Sequence, residues 1–182
     1  MTRRLFVGLE LPSSYQQSLA ELDPHIRGLR WLPAEQLHLT MSFLGEVDSQ
    51  HEATLREALA GVSVPEFFLP IQGAGAFGGS RPTVVWIGVG RGHPHLFALH
   101  HHIQDAVLHC GLEADLKPFH PHITVGRAKD VSRSALRPFL QEHAATEFGM
   151  WKVSAFTLFS SVLLSGGSTY HVEFRQPFSA AA

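Results

Sequence analysis

Two copies of one short pattern carry the side chains with the clearest chemistry in this 182-residue chain. His38-Leu39-Thr40-Met41 and His122-Ile123-Thr124-Val125 both read His, apolar, Thr, apolar. Because side chains alternate across a β-strand, each His and its Thr project from one face while the apolar residues point toward a core. If both copies face one cleft, two imidazoles and two hydroxyls suit proton transfer on either side of a phosphate.

A single His-x-Thr pattern is weak, because it is short and arises by chance on any polar strand face. The context of the two copies strengthens it. Each lies in a strand-like run that ends at a glycine, Gly45 or Gly126, and each run is followed by a helical pattern. The two histidines stand 84 residues apart, so a shared site requires the fold to bring them together.

Composition indicates a folded globular protein, with 45% apolar residues, 16% charged residues and 13 Phe. We expect one domain over residues 1–182, made of two intertwined lobes. The formal net charge of −2 gives no basic excess for binding along a nucleic-acid backbone. A nucleic-acid substrate is therefore expected to be bound at an end.

Cysteine usage and hydropathy point to a soluble protein of the cytoplasm. Cys110 is the only cysteine, so no intramolecular disulfide is possible, and its place before Gly111 favours a small buried residue at a helix end. The N-terminal segment meets Glu10 and Pro12 before a long apolar stretch develops, so it is not typical of a signal peptide. No window approaches the roughly 18 apolar residues of a membrane span.

Apolar periodicity predicts the same order of elements twice along the chain. A strand-helix-strand-helix-strand unit made twice predicts an α+β fold of two lobes, related by a pseudo-twofold axis that brings the motif strands together. The predicted strands are 4–11, 37–44, 67–74, 83–89, 122–126, 152–159 and 170–174. The predicted helices are 13–28, 49–60, 94–110 and 132–143.

Beyond the two motifs, three segments carry a family resemblance that covers nearly the whole chain. They are residues 5–12, residues 73–78 followed by Arg81-Pro82 and Trp86, and residues 161–170. Together with the motifs they resemble the 2H phosphoesterase superfamily, and most closely its RNA 2′,3′-cyclic phosphodiesterase branch, also called 2′-5′ RNA ligase. The resemblance implies a bilobal fold in which antiparallel sheets line a central cleft and the helices lie outside.

The resemblance also implies roles for the motif residues. It makes the protein a metal-independent phosphodiesterase without a cofactor, acting as a monomer on RNA or oligonucleotide ends that carry a 2′,3′-cyclic phosphate. His38 is then the proton donor to the departing 3′ oxygen and His122 the proton acceptor from water, leaving a 2′-phosphate. Thr40 and Thr124 hold the non-bridging phosphate oxygens. The reverse reaction, 2′-5′ RNA ligation, exchanges the two histidine roles.

Three further residues near the motifs have alternative interpretations. Arg127 stands five residues after His122, an odd offset that points it away from the cleft unless Gly126 breaks the strand. It is a candidate for substrate binding, with a structural ion pair as the alternative. Phe43 has the same offset from His38 and is expected in the core, whereas Phe119 fits the core and the cleft wall equally.

Two further patterns, a histidine repeat and a glycine-rich segment, suggest other functions but lack the spacing or the context that those functions need. His95, His102 and His109 repeat every seven residues, about 10.5 Å apart on a helix, so they do not form one metal site and a solvated helix face is expected. Residues 73–78 match Gly-x-Gly-x-x-Gly, but no helix pattern follows, so a flexible loop is expected. The main rival to an enzyme is a non-catalytic nucleotide or RNA-end binding module of the same fold.

Overall fold

A computed structural model describes residues 1–180 of the chain. The strands are β1 (Thr2–Glu10), β2 (Leu29–Trp31), β3 (His38–Asp48), β4 (Phe67–Gln72), β5 (Ala74–Phe77), β6 (Val84–Gly88), β7 (His122–Ala128), β8 (Glu147–Val153), β9 (Ala155–Leu164) and β10 (Gly167–Pro177). The helices are α1 (Ser13–Ala20), α2 (Ser49–Ala60), α3 (Pro94–His109) and α4 (Arg133–Glu142), with a short 3₁₀ helix at Ala34–Gln36.

The strands form one large antiparallel sheet and one small one. The large sheet has the order β10-β9-β1-β3-β7-β6-β5, with β2 also paired to β7, and β4 pairs with β8 in the small sheet. β1 lies beside β3 as β6 lies beside β7, so the two halves repeat one arrangement. They meet at β3 and β7, which are joined at the pair Leu39 and Ile123. The predicted α+β fold with two related halves is confirmed.

The core lies under the face of the sheet opposite the His and Thr residues. Leu39, Met41, Ile123 and Val125 are buried, whereas both histidines and both threonines are only half-buried. This is the period of two that the motifs predict. Helices cover the apolar face, and α3 buries Leu96, Leu99, Ile103, Ala106 and Val107 at helical spacing.

Local sequence explains why the three later helices begin where predicted. The Asp48 carboxylate accepts hydrogen bonds from two backbone amides at the start of α2, and the Ser132 hydroxyl accepts one from Ala135 at the start of α4. Pro94 occupies the first turn of α3, where a missing amide hydrogen removes no helical hydrogen bond.

A β-bulge follows the threonine in both motif strands. Thr40 pairs with Gly8 but Ser42 pairs with Val7, so Met41 is the extra residue of β3. In β7 the register shifts in the same way, because Trp86 pairs with Thr124 and Val85 with Gly126, which leaves Val125 as the extra residue. A bulge of this kind reverses the alternation of the side chains that follow it. The residues five positions after each His therefore return to the His and Thr face.

Two predicted elements are wrong in their extent. The helix over 13–28 ends at Ala20, because Pro24 interrupts the segment and the residue before a proline disfavours helical backbone. The strand predicted over 152–159 is two strands that belong to different sheets, β8 and β9, separated by Ser154. Within residues 1–180, none of the helices combines the length and the apolar composition that a membrane span requires.

The flexible loop expected over 73–78 is also wrong, because Ala74–Phe77 forms the edge strand β5 against β6. Gly73 has a φ of 81°, a conformation that favours glycine, and it separates β5 from β4. At Gly75 a Cβ would stand 2.2 Å from the Trp86 ring, so only glycine lets the indole cover this strand. The glycines thus allow a close strand and ring contact rather than a mobile loop.

Candidate active site

The pairing of β3 with β7 brings the two motifs together in a crossed arrangement. Leu39 and Ile123 are direct partners in an antiparallel pair. In such a pair the residue before one partner faces the residue after the other, so His38 lies across from Thr124 and Thr40 lies across from His122. Each imidazole therefore has one hydroxyl from its own strand and one from the opposite strand near it.

The same kind of hydrogen bond, to a backbone carbonyl oxygen, holds both imidazoles in place. His38 Nδ1 lies 2.7 Å from the Gln36 carbonyl oxygen, and His122 Nδ1 lies 2.6 Å from the His120 carbonyl oxygen. Because a carbonyl only accepts hydrogen bonds, each Nδ1 carries the proton and each neutral ring presents the lone pair of Nε2. A carbonyl two residues upstream thus sets the tautomer of each His.

The two Nε2 atoms differ in their protein contacts. Thr40 Oγ1 lies 3.0 Å from His38 Nε2, and its hydroxyl donates to the neutral ring. Among residues 1–180, His122 Nε2 has no hydrogen-bond partner. The lone pair of His122 is therefore the more accessible of the two to an incoming proton.

Aromatic rings enclose both histidines. The centroids of the Phe6 and Tyr170 rings lie 4.9 and 5.2 Å from that of His38, and the Phe77 centroid lies 4.9 Å from that of His122. Sequence reasoning gave these three aromatic residues no role. The available signal was that all three fall within the segments that carry the family resemblance.

Burial lowers the pKa of both imidazoles. Loss of solvation is the main cause for His38 and lowers its pKa from 6.5 to about 4. The hydrogen bond to the Gln36 carbonyl opposes this shift, whereas the positive charge of Arg127 and, to a smaller extent, the neighbouring His122 add to it. The pKa of His122 is also lowered, mainly by burial and then by the nearby His120 and Arg127. Both rings are thus neutral near pH 7 until an anion favours the imidazolium form.

The lowered pKa of His38 predicts a stability loss in acid. A folded-state pKa of about 4 against 6.5 means that the unfolded chain takes up a proton between these pH values while the folded chain does not. The free energy of unfolding is therefore expected to fall by roughly 3 kcal/mol from this group as the pH drops from 6.5 to 4. Urea unfolding of the wild type and of His38→Gln across this range measures it, and an equal slope in both proteins would contradict the assignment.

Arg127 lies on the same face as the motif residues. It pairs with Val84, and Val84 and Trp86 project to one side of the unbulged strand β6, the side of Thr124. Its charge lowers the pKa of both His38 and His122, as expected for a neighbour of both rings. The alternative of a structural ion pair is not observed, since Arg127 forms no salt bridge within residues 1–180.

Phe43 and Phe119, the other two residues considered near the motifs, differ in their surroundings. Phe43 was expected in the core, but 57% of it is exposed because the bulge turns it to the side of Phe6 and His38. Phe119 packs against the core and its ring stacks on His100, with centroids 3.9 Å apart. Phe43 is thus the counterpart of Arg127 in the other half of the site, and Phe119 is a packing residue.

The histidines of α3 are packed more than expected. Within residues 1–180, no three His, Cys, Asp or Glu side chains are placed to hold one metal ion. His95 lies against Phe67, with centroids 6.0 Å apart, so the expected solvated face is wrong for this residue. His100, on the same helix, also packs, against Phe119. His102 and His109 are exposed, as predicted.

The match to a family model decides the relationship of this chain to known proteins. The model of the 2′-5′ RNA ligase superfamily matches residues 11–162, which include both motifs. The chain belongs to the 2′-5′ RNA ligase superfamily. The family expected from the motifs is thereby confirmed.

Curated members of this superfamily resemble the chain over most of its length. A protein of Archaeoglobus fulgidus named RNA 2′,3′-cyclic phosphodiesterase is 31% identical over 92% of this chain and 96% of its own length. A protein of Escherichia coli with the same name is 31% identical, with 92% of each chain covered.

Solved structures of the superfamily share the fold. The crystal structure of E. coli LigT in complex with 3′-AMP aligns with a TM-score of 0.82 and 28% identity, covering 98% of this chain and 99% of that one. The same protein without a ligand aligns with a TM-score of 0.83 and 27% identity, covering 98% of each chain.

Proposed function

We propose that this superfamily member is a metal-independent phosphodiesterase that hydrolyses RNA 2′,3′-cyclic phosphate ends to 2′-phosphates. One observation carries the proposal: the Leu39 and Ile123 pairing sets two imidazoles of fixed tautomer across from two hydroxyls. Relatives that match over most of their length are named RNA 2′,3′-cyclic phosphodiesterase, which supports this substrate.

In the proposed mechanism the two histidines act on opposite sides of phosphorus. His122 Nε2 takes a proton from water, and the water oxygen forms a bond to phosphorus. The bond from phosphorus to the 3′ oxygen breaks, and His38 Nε2 gives its proton to that oxygen. The products are a 2′-phosphate and a 3′-hydroxyl, and exchange with solvent resets both rings. The free Nε2 of His122 supports its assignment as the base.

The hydroxyls and Arg127 stabilise the charge that develops between the imidazoles. Thr40 and Thr124 donate to the non-bridging oxygens, and the Arg127 guanidinium, which faces the same side, adds a charged donor. Since a neighbouring phosphate favours the imidazolium form, substrate binding supplies the protonated His38 that the free enzyme lacks near pH 7, while His122 stays neutral and acts as the base.

The proposal extends to 2′-5′ ligation, and to the compartment and the oligomeric state of the enzyme. A 5′-hydroxyl in place of water would give 2′-5′ ligation with the same base and acid, because the 3′ oxygen still leaves. The exchange of histidine roles then belongs to the reverse step, cleavage of the 2′-5′ linkage, in which the 3′-hydroxyl attacks and the 5′ oxygen leaves. We place the enzyme in the cytoplasm as a monomer, with residues 1–182 as one domain. The lone Cys110 is buried and free, which fits a reducing compartment.

Turnover separates this proposal from a non-catalytic binding module. The purified protein is incubated with a short RNA that ends in a 2′,3′-cyclic phosphate, and chromatography follows its conversion. We expect catalytic conversion in excess over the enzyme. Saturable binding of the same RNA without conversion would contradict the enzyme and favour the binding module.

Arg127→Gln is expected to change both the rate and its pH dependence. Loss of a charged donor should lower kcat/KM roughly 10- to 100-fold. Because the positive charge of Arg127 lowers the pKa of both histidines, its removal should move the kcat/KM profile to higher pH. Arg127→Lys is the control, since it keeps the charge and should keep the profile in place. An unshifted profile in Arg127→Gln would contradict the placement of this guanidinium.

A further inference from the structure

A second arginine stands beside Arg127 on the open side of the site. Arg30 of β2 pairs directly with Arg127 of β7 in an antiparallel register. Directly opposed residues project from the same face with their Cβ atoms about 5 Å apart. Arg30 therefore lies on the face that carries the histidines and threonines, one strand beyond Arg127.

The residues on either side of Arg30 fix its direction. Leu29 and Trp31 point the other way and pack against the core, and Trp31 Nε1 donates to the Leu19 carbonyl oxygen at 3.1 Å. The Trp31 ring also packs edge-on against Phe139 of α4, with centroids 5.4 Å apart. Since strand side chains alternate, Arg30 is held on the opposite face, away from α4.

In the described part of the chain, the charges of this arginine pair are not paired with a carboxylate. Within residues 1–180, neither Arg30 nor Arg127 forms a salt bridge, whereas Arg3 and Arg56 are both paired with Glu52 and Glu173 elsewhere in the fold. Like charges directly opposed in a sheet are destabilising. Such a pair at the edge of a phosphate site is typical of an anion-binding surface.

A short series of neighbouring residues leads from His38 to Arg30 along the rim of the cleft. Gln36 accepts the Nδ1 proton of His38 through its carbonyl oxygen, and its side-chain amide donates to the Ser168 carbonyl oxygen at 2.9 Å. Arg30 Nη1 lies 3.1 Å from the position that a Cβ would take at the adjacent Gly167. The rim therefore runs from the reacting centre through Gln36 and the start of β10 to Arg30.

We propose that Arg30 binds the phosphodiester next to the terminal cyclic phosphate, so that the enzyme prefers oligonucleotide ends to mononucleotide cyclic phosphates. The inference rests on the proposed function, in which Arg127 serves the reacting phosphate. An RNA end carries its next negative charge at that neighbouring linkage. A guanidinium binds a phosphate through two parallel hydrogen bonds, and the anion relieves the repulsion between Arg30 and Arg127.

The test compares kcat/KM for a trinucleotide and a mononucleotide, each with a 2′,3′-cyclic phosphate. We expect the wild type to prefer the trinucleotide. Arg30→Gln should reduce this preference roughly tenfold, mainly through KM, and should lower the salt dependence of the trinucleotide reaction by about 0.7 in log-log slope. Arg137→Gln removes the same charge from α4 on the far side of the sheet, where it is exposed, and should leave the preference unchanged.

The same contact can be tested from the substrate side, by removing the negative charge that Arg30 is proposed to bind. With a methylphosphonate in place of the neighbouring phosphodiester, the wild type should lose its preference, and Arg30→Gln should add no further loss. An equal effect of Arg30→Gln on both substrates, or none on either, would overturn the role of Arg30 while leaving the proposed function intact. If the wild type converts neither substrate, the proposed function itself fails.

Discussion

His38→Ala is expected to lower kcat on RNA 2′,3′-cyclic ends by about 10²- to 10⁴-fold, the usual contribution of a positioned acid or base. His122→Ala should have an effect of similar size. Each ring is held by one carbonyl and faces the opposite strand, so neither replaces the other. Rates are compared under single-turnover conditions, and the free energy of unfolding of each variant shows whether it is folded.

The leaving group distinguishes the two histidine roles. A substrate with sulfur at the 3′ bridging position needs no proton donor, because a thiolate leaves readily without protonation. His38→Ala should therefore regain much of its lost rate on this substrate, whereas His122→Ala should not, because it lacks the base that activates water. Recovery in His122→Ala alone would reverse the assignment, and recovery in neither would contradict acid catalysis at the 3′ oxygen.

Thr40→Val and Thr124→Val are each expected to lower kcat by about 10²- to 10³-fold, by analogy with the loss of one donor to a developing oxyanion. Valine keeps the shape of threonine but removes the hydroxyl. Both residues lie across from a histidine of the other strand, where the non-bridging oxygens are proposed to lie. The measurement is kcat for the cyclic RNA end.

The matched controls are Thr40→Ser and Thr124→Ser, which keep the hydroxyl and should retain most of the activity. Thr40 also contacts His38 Nε2, so its valine variant should show a changed pH profile as well as a lower rate. A valine variant that keeps full activity would contradict the phosphate-binding role of that hydroxyl.

The sequence predicts the parts of the fold that depend on local patterns. The alternation in the two motifs predicts which side chains are buried, and Leu39 and Ile123 are fully buried as expected. The capping residues Asp48 and Ser132 mark the starts of α2 and α4. The repeated order of elements also predicts that the two motif strands meet, because two halves related by a pseudo-twofold axis place equivalent strands together.

The sequence does not predict features that depend on the neighbouring strand. The two bulges arise from pairing with β1 and β6, and no residue at Met41 or Val125 marks them. Without them, the odd offsets of Phe43 and Arg127 point both residues away from the cleft. Likewise Ala74–Phe77 forms a strand because β6 offers a free edge, which a glycine-rich pattern alone does not indicate.

The most direct test of the account is the hydrolysis of a short RNA with a 2′,3′-cyclic phosphate end in the presence of EDTA, with assignment of the product. The account predicts metal-independent conversion by the wild type to a 2′-phosphate, and loss of that conversion in both His38→Ala and His122→Ala. A 3′-phosphate product, dependence on a metal ion, or full activity in either variant would contradict the two-histidine mechanism.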